Sequence, residues 1–189
     1  RRAGIPDGVV NVVATSSSAA LTGPLLHDPR LRKLSFTGST AVGKALLREA
    51  AANVLRVSME LGGCAPFIVF DDADLERAVA AAKSAKLRNM GEACNAANRF
   101  YVAHELADEF ATRLATEFRG LVIGDGLDPA TDIGPIITSE QLHRLRGLVS
   151  SAQMHGSQVL VGGEEIAGPG YFYRPTVLTV PDPGEPVVC

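Results

Sequence analysis

The sequence is poor in cysteine and has no large excess of either charge. Its 189 residues include three cysteines, an odd and sparse count that argues against a disulfide scaffold and favours a reducing compartment. We therefore expect a cytoplasmic protein. The 18 basic and 21 acidic residues give a formal net charge of −3, so the chain carries no electrostatic footprint for nucleic acid or for an anionic membrane.

Long apolar runs are also absent from the sequence. The stretch 65–70 is typical of the longest ones, whereas a helix that spans a bilayer needs about 20 residues. No apolar run follows the two arginines at the start, so the sequence indicates no signal peptide. With 46% hydrophobic and 21% charged residues, the composition is globular and excludes a disordered chain.

Both ends of the sequence have features that are typical of a fragment. Gly4 and Pro6 are typical of residues that follow the last turn of a helix, yet no helix precedes them. The other end, 183–189, stops without a terminal element. We therefore expect a fragment of a longer protein, and frayed natural termini are the alternative.

Segments with strand and helix character alternate along the chain, which predicts an α/β fold with largely parallel sheets. The pair Gly62 and Gly63 is the best candidate for a domain boundary and divides 1–61 from 62–189. A turn and cap at 71–74 precedes one helix, and Thr138 begins another in a capping box. Strands are predicted at 9–13, 34–36, 55–61, 65–70, 99–103, 158–161 and 177–180, and helices at 18–26, 42–52, 75–89, 106–118 and 139–155.

The segment 36–44 turns from a short strand into a helix and contains two glycines. Glycine permits close approach of a ligand, and a helix N-terminus offers N–H groups to phosphate. The segment lacks the G-x-G-x-x-G pattern, and Ala45 stands where a Walker loop needs Ser or Thr. A phosphate-binding loop and a plain strand-to-helix turn are both compatible with it.

One carboxylate side chain and one thiol side chain are candidates for catalysis. Glu60 lies on the polar face of the alternating strand 55–61, just before two glycines, where a carboxylate serves as a general base or is simply a solvated charge. Cys94 lies in a link that contains glycine and asparagine, where it is either a nucleophile or a buried small hydrophobic residue. Cys64 and Cys189 are interpreted as structural or incidental.

Arg88 precedes Cys94 by six residues, near the end of an alanine-rich helix. A cation at that position is favoured by the helix dipole alone. The alternative is that its planar guanidinium binds a carboxylate of the substrate.

Three motifs occur in a fixed order: Phe-Thr-Gly-Ser-Thr at 36–40, Met-Glu-Leu-Gly-Gly at 59–63, and Gly-x-x-Cys at 91–94 with Asn-Arg at 98–99. Together they closely resemble the aldehyde dehydrogenase superfamily and, within it, the succinate-semialdehyde dehydrogenase type. The resemblance covers essentially the whole chain. It implies the end of a Rossmann-like NAD(P)-binding domain at 1–61, followed by most of an α/β catalytic domain at 62–189.

The resemblance also implies a role for each candidate residue. Cys94 matches the nucleophile, Glu60 the general base, and Arg88 the anchor for the distal carboxylate of a semialdehyde. The residues implied at the cofactor are Gly38 and Ser39 beside the pyrophosphate, Gly43 in the following helix, and Leu61. The expected cofactor is NAD or NADP, the expected substrate is a small aldehyde, no metal is expected, and the full-length enzyme is expected to be a homo-oligomer.

Some positions depart from the family pattern. Glu92 stands where Gln is usual, Cys64 stands where Asn or another polar residue is usual, and Ala96 replaces the second cysteine of a redox pair found in some relatives. The resemblance places an oxyanion-hole asparagine, the adenosine-binding lysine and a further substrate arginine outside this chain. A catalytically silent α/β module and a dehydrogenase of another semialdehyde, such as glutarate semialdehyde, are the alternatives.

Overall fold

The computed structural model describes residues 3–181, 184 and 187, and a boundary between Gly62 and Gly63 divides the chain. The first unit is Arg1–Gly62 and the second is Gly63–Cys189. Cys189, interpreted above as incidental, lies outside the described residues. The assignment of a cofactor role to one unit and of a catalytic role to the other stays a prediction.

One β-α-β segment organises the first unit. Helix α1 (Ser18–Leu26) leads to strand β1 (Lys33–Gly38), helix α2 (Thr40–Ala51) and strand β2 (Arg56–Leu61). The two strands pair in parallel, which requires a crossover such as α2 between them. These elements confirm the helices and the two later strands predicted for this part of the sequence.

The strand predicted at 9–13 is wrong. That segment forms no regular element, and Val12 is 92% exposed. Its four valines favour a strand by propensity, but a strand is stable only beside a hydrogen-bonding partner. Within the described residues β1 and β2 pair only with each other, so nothing holds 9–13 in a sheet.

The second unit begins with another parallel pair. Strands β3 (Ala65–Val69) and β4 (Ala97–Val102) are parallel, and helix α3 (Leu75–Leu87) separates them in sequence. Helix α4 (His104–Arg119) follows β4 directly. The link from the end of α3 to the start of β4 contains Cys94.

The rest of the second unit is helix α5 (Ser139–Met154) and a short pair of strands. These strands, β5 (Gln158–Val161) and β6 (Val177–Thr179), are antiparallel. The expectation of an α/β fold with parallel sheets is confirmed, and this last pair is the exception among the described strands.

Helices α3 and α4 pack against the β3–β4 pair and form the main core. The ring centroids of Phe67 and Phe100 lie 5.5 Å apart, and those of Phe100 and Phe110 lie 6.2 Å apart. Burial of each large apolar side chain stabilises the fold by about 1.5–3 kcal/mol. The core therefore fixes α3 and β4, the two elements on either side of Cys94. Its buried members are Val69, Val79, Ala82, Phe110, Leu114 and Phe118.

Side-chain caps confirm two predicted helix starts. The Asp74 carboxylate accepts a hydrogen bond from the backbone N–H of Arg77 at 3.1 Å, at the start of α3. The Thr138 hydroxyl accepts one from the backbone N–H of Gln141 at 3.2 Å, at the start of α5. Each cap satisfies a donor that the first turn of a helix leaves free.

Candidate active site

The carboxyl ends of β1 and β2 bring two sequence motifs side by side. Thr37 is the register partner of Glu60, and Gly38 is the partner of Leu61. The backbone N–H of Gly62 donates to the carbonyl oxygen of Gly38 at 3.2 Å. Ligands of open α/β sheets bind at this edge. Within the first unit, the predicted general base and the predicted cofactor loop therefore lie at the same edge.

Gly43 allows α2 to pack closely on β2. A Cβ atom at Gly43 would lie 2.6 Å from Cδ2 of Leu61, well inside van der Waals contact. The glycine is buried, so the two chain segments meet where a side chain is missing. Two of the predicted cofactor-binding residues thus contact each other, and together they set the distance between the helix and the strand.

The start of α2 offers backbone donors to an anion. Ser39 is the N-cap residue, and its hydroxyl accepts a hydrogen bond from the backbone N–H of Val42 at 3.3 Å. The first turn of α2 contains no acidic residue, so no carboxylate side chain there competes with a bound anion for the positive end of the helix dipole. Binding of the pyrophosphate of a dinucleotide at this loop stays a prediction.

Glu60 projects from the face of the β1–β2 pair opposite to Leu61. Side chains alternate along a strand, and Leu61 is directed towards Gly43 of α2. The Glu60 side chain is exposed in this chain. It is therefore not buried under α2, and its role as general base stays a prediction.

Cys94 lies in an exposed turn between α3 and β4. The backbone N–H of Ala96 donates to the carbonyl oxygen of Ala93 at 2.9 Å, which closes the turn around the cysteine. The thiol residue is exposed and not disulfide-bonded, which disfavours the interpretation of Cys94 as a buried small hydrophobic residue. Gly63 approaches it closely, since a Cβ atom there would lie 3.2 Å from the carbonyl oxygen of Cys94.

Three consecutive residues in the left-handed region precede Cys94. Asn89, Met90 and Gly91 have φ angles of 52°, 56° and 80°. Helix α3 therefore ends at Leu87 and not at 89 as predicted. Non-glycine residues adopt this conformation at a cost of order 1–3 kcal/mol each, and only where the surroundings hold them. The structure thus holds the chain in an unfavourable shape immediately before the predicted nucleophile.

Met90 contributes one of the contacts that hold this turn. The backbone N–H of Gly134 donates to its sulfur at 3.3 Å. A Cβ atom at Gly134 would lie 3.2 Å from the same sulfur. Gly134, which lies in the segment 133–135 of the family resemblance, therefore packs against the turn that leads to Cys94.

Arg88 reaches the residue next to Cys94. Its Nη2 donates to Oδ1 of Asn95 at 2.9 Å. Among the described residues, no carboxylate forms an ion pair with Arg88, whose side chain is exposed. The guanidinium is therefore held at the turn of Cys94, with donors left over for a further acceptor.

Lys86, which the sequence did not single out, forms a cluster with Asn98 and Cys64. Its Nζ donates to Oδ1 of Asn98 at 2.5 Å, and Nδ2 of Asn98 donates to Sγ of Cys64 at 3.6 Å. Burial lowers the pKa of Lys86, and the neighbouring Cys64 opposes that shift. A lysine in the last turn of a helix is expected from the dipole alone, so no local signal distinguishes it.

The structure places Cys94, Arg88 and Lys86 within the second unit, and Glu60, Gly38, Ser39, Gly43 and Leu61 within the first. A common cleft for Cys94 and Glu60 stays a prediction. The described part of the chain brings no three metal-ligating side chains together. It also has no helix with the length and apolar character needed to cross a membrane.

Comparisons with known proteins agree with the motifs. The chain is 54% identical over 176 residues to a succinate-semialdehyde dehydrogenase of Paenarthrobacter nicotinovorans, covering 93% of this chain and 39% of that protein. It is 46% identical over 177 residues to a glutarate-semialdehyde dehydrogenase of Pseudomonas putida, covering 94% of this chain and 36% of that protein. A solved structure described as an E. coli NADP dependent enzyme has a TM-score of 0.93 at 44% identity, covering 98% of this chain and 38% of that one.

These matches show how much of its relatives' length the chain covers and which family it belongs to. It spans 39% and 36% of the length of the two curated relatives, in agreement with the expectation of a part of a longer protein. The model of the aldehyde dehydrogenase family matches residues 1–189. This chain therefore belongs to the aldehyde dehydrogenase family.

Proposed function

We propose that the whole protein oxidises a semialdehyde to the corresponding dicarboxylic acid with NAD⁺ or NADP⁺, and that succinate semialdehyde is its substrate. The observation that carries this proposal is Arg88, whose guanidinium lies against the turn of Cys94 and has no described carboxylate partner. A substrate with an aldehyde at one end and a carboxylate at the other supplies that partner. The names of the two curated relatives support the same substrate class.

Cys94 is the proposed nucleophile. Its thiolate attacks the aldehyde carbon and forms a C–S bond, which gives a thiohemiacetal with a negative oxygen. The backbone N–H of Cys94 is one donor to that oxygen, and the donors of an oxyanion hole are each worth about 100- to 1,000-fold in turnover. The exposed position of Cys94 leaves the thiol open to an incoming aldehyde.

The first unit is proposed to hold the cofactor. Residues Gly38 and Ser39 and the N-terminus of α2 bind the pyrophosphate, and the Gly43–Leu61 contact keeps α2 at the distance this requires. When bound, a nicotinamide cofactor supplies a hydride acceptor, which converts the thiohemiacetal carbon to the oxidation level of an acid. Several residues expected for adenosine binding lie outside this chain, so the proposal is for the whole protein.

Glu60 is the proposed general base for release of the acid. Its carboxylate takes a proton from a water molecule, whose oxygen attacks the thioester carbon of Cys94. The C–S bond breaks, the thiolate leaves, and the carboxylic acid is released. This step needs Glu60 and Cys94 at one cleft in the whole protein.

The experiment is a steady-state and single-turnover assay of the full-length protein with succinate semialdehyde, glutarate semialdehyde and butanal. We expect reduced cofactor with the semialdehydes, and at least about tenfold lower kcat/KM with butanal. Cys94→Ala should abolish turnover. Glu60→Gln should retain a first burst of reduced cofactor and lose steady turnover, while Glu49→Gln on the exposed surface of α2 serves as the matched control.

Two results would contradict the proposed reaction, and a third would contradict the proposed substrate. Turnover that survives Cys94→Ala removes the assigned nucleophile. No reduction of NAD⁺ or NADP⁺ with any of the three aldehydes favours a catalytically silent module. A kcat/KM for glutarate semialdehyde above that for succinate semialdehyde keeps the mechanism and changes the substrate, an outcome that the second relative favours.

A further inference from the structure

Lys86 and Asn98 stand on either side of the segment that contains Cys94. Lys86 is in the last turn of α3, and Asn98 is the second residue of β4. They are twelve residues apart in sequence, yet Nζ of Lys86 donates to Oδ1 of Asn98 at 2.5 Å. This bond closes the base of the loop formed by the residues between them.

The loop also wraps around the Lys86 side chain. A Cβ atom at Gly91 would lie 2.9 Å from Nζ, 3.1 Å from Cε and 3.1 Å from the carbonyl oxygen of Lys86. Gly91 has a φ of 80° and is the third of the consecutive left-handed residues. The left-handed turn therefore passes directly over the lysine, and a side chain at Gly91 would displace the lysine side chain from this position.

Asn98 is fixed from a second direction. Its Nδ2 donates to Sγ of Cys64 at 3.6 Å, and the carbonyl oxygen of Cys64 accepts a hydrogen bond from Nη2 of Arg99 at 2.7 Å. Cys64 directly precedes β3, which pairs with β4. The amide of Asn98 is thus oriented by the start of β3, and its oxygen is directed to Lys86.

We infer that Lys86 is a positioning residue for the nucleophile: with Asn98 it forms a clamp at the base of the Cys94 loop, and this clamp holds the left-handed turn that aims Cys94 at the substrate. The inference rests on the proposed function of Cys94. A helix-end cation that only complements the dipole needs neither a fixed acceptor nor a glycine above it. A strained turn persists only where such contacts over-determine it, and an error of about 1 Å in the position of a reacting group costs about 100-fold in rate.

The test uses the full-length protein with Lys86→Met, Asn98→Leu, the double variant and Asn98→Asp. Met keeps the length of the lysine stem and removes the donor. Leu removes the acceptor, whereas Asp keeps an acceptor for Lys86. The matched control is Lys83→Met, one turn earlier on α3, where the lysine pairs with Glu117 on the surface at 2.8 Å.

We expect Lys86→Met and Asn98→Leu each to lower kcat by about 10- to 100-fold with KM changed less than about threefold. The double variant should lose no more than the worse single variant, because both remove one clamp. Asn98→Asp should retain kcat within about threefold of wild type, and Lys83→Met should match wild type. Additive losses in the double variant, or a low kcat in Asn98→Asp, would overturn the inference.

Hydrogen exchange followed by mass spectrometry gives a readout besides activity. In Lys86→Met the backbone amides of 89–96 should exchange at least about tenfold faster, while those of α4 and β3 remain protected as in wild type. Unchanged exchange at 89–96 contradicts the clamp even when the enzyme is active. If wild type has no dehydrogenase activity and 89–96 still exchange faster in Lys86→Met, the clamp is supported and the proposed function is rejected. The failure of the clamp and the failure of the proposed function are therefore distinguishable.

Discussion

Replacing Arg88 by methionine separates the two contributions expected of its guanidinium at the turn of Cys94. One is the hydrogen bond from Nη2 to Oδ1 of Asn95 at 2.9 Å, which supports the turn whichever substrate is bound. The other is a bond to the distal carboxylate of a semialdehyde, which an uncharged aldehyde does not form. Only the second contribution depends on the substrate, so the ratio of kcat/KM values between the two substrates isolates it.

The size of the effect follows from the kind of bond that is lost. Both bonds involve the charged guanidinium of Arg88, and a hydrogen bond to a charged group contributes about 1.5–3 kcal/mol. Loss of the carboxylate contact should therefore reduce kcat/KM for succinate semialdehyde by roughly 10- to 150-fold relative to butanal. Loss of the Asn95 contact should reduce kcat/KM for both substrates by the same factor, because that bond does not involve the substrate.

The assay is the initial rate of cofactor reduction by full-length wild type, Arg88→Met and Asn95→Ala over a range of both aldehydes. Asn95→Ala is the matched control, because it removes the same intramolecular bond and keeps the guanidinium. In Asn95→Ala, the kcat/KM values for the two substrates should fall by equal factors. If Arg88→Met also lowers the kcat/KM values for both substrates by equal factors, Arg88 acts only on the turn. Its assignment as a substrate anchor is then wrong, and the semialdehyde assignment loses its main support.

Further predictions concern packing, capping and the isolated chain. Gly43→Ala should destabilise the fold by about 1–3 kcal/mol through overpacking against Leu61, and it should weaken NAD(P) binding. Leu61→Ala in the same chain should restore part of the stability. Thermal unfolding measures the stability, and calorimetric titration measures the NAD(P) affinity. Phe110→Ala should cost about 3–5 kcal/mol in denaturant unfolding, because its ring is 2% exposed in the core. Thr138→Ala should cost about 1 kcal/mol by loss of its cap, with Thr138→Ser near wild type. The purified 189-residue chain should show negligible dehydrogenase activity, and steady cofactor reduction by it with succinate semialdehyde would contradict this.

The sequence alone predicted the features that depend on neighbours along the chain. Alternation of apolar residues predicted strand 55–61, and the structure has β2 at Arg56–Leu61. A threonine three residues before a glutamine predicted the start of α5, and the Thr138 cap is present. Motif order predicted the family, which the match over residues 1–189 confirms. The cap and the alternation are short-range signals, because each is set by residues within one or two turns of each other.

Tertiary contacts decided what the local pattern did not contain. The four valines of 9–13 have strand propensity but no partner strand, and α3 ends at Leu87 because the left-handed turn packs over Lys86 and against Gly134. The exposure of Cys94 depends on the conformation of the loop around it, and the residues next to it in sequence did not predict that conformation. The Lys86–Asn98 bond joins residues twelve positions apart, and its geometry exists only once the main core has fixed α3 and β4. Local propensity is a weak prior in such places, since the free energy comes from contacts between segments that the sequence keeps apart.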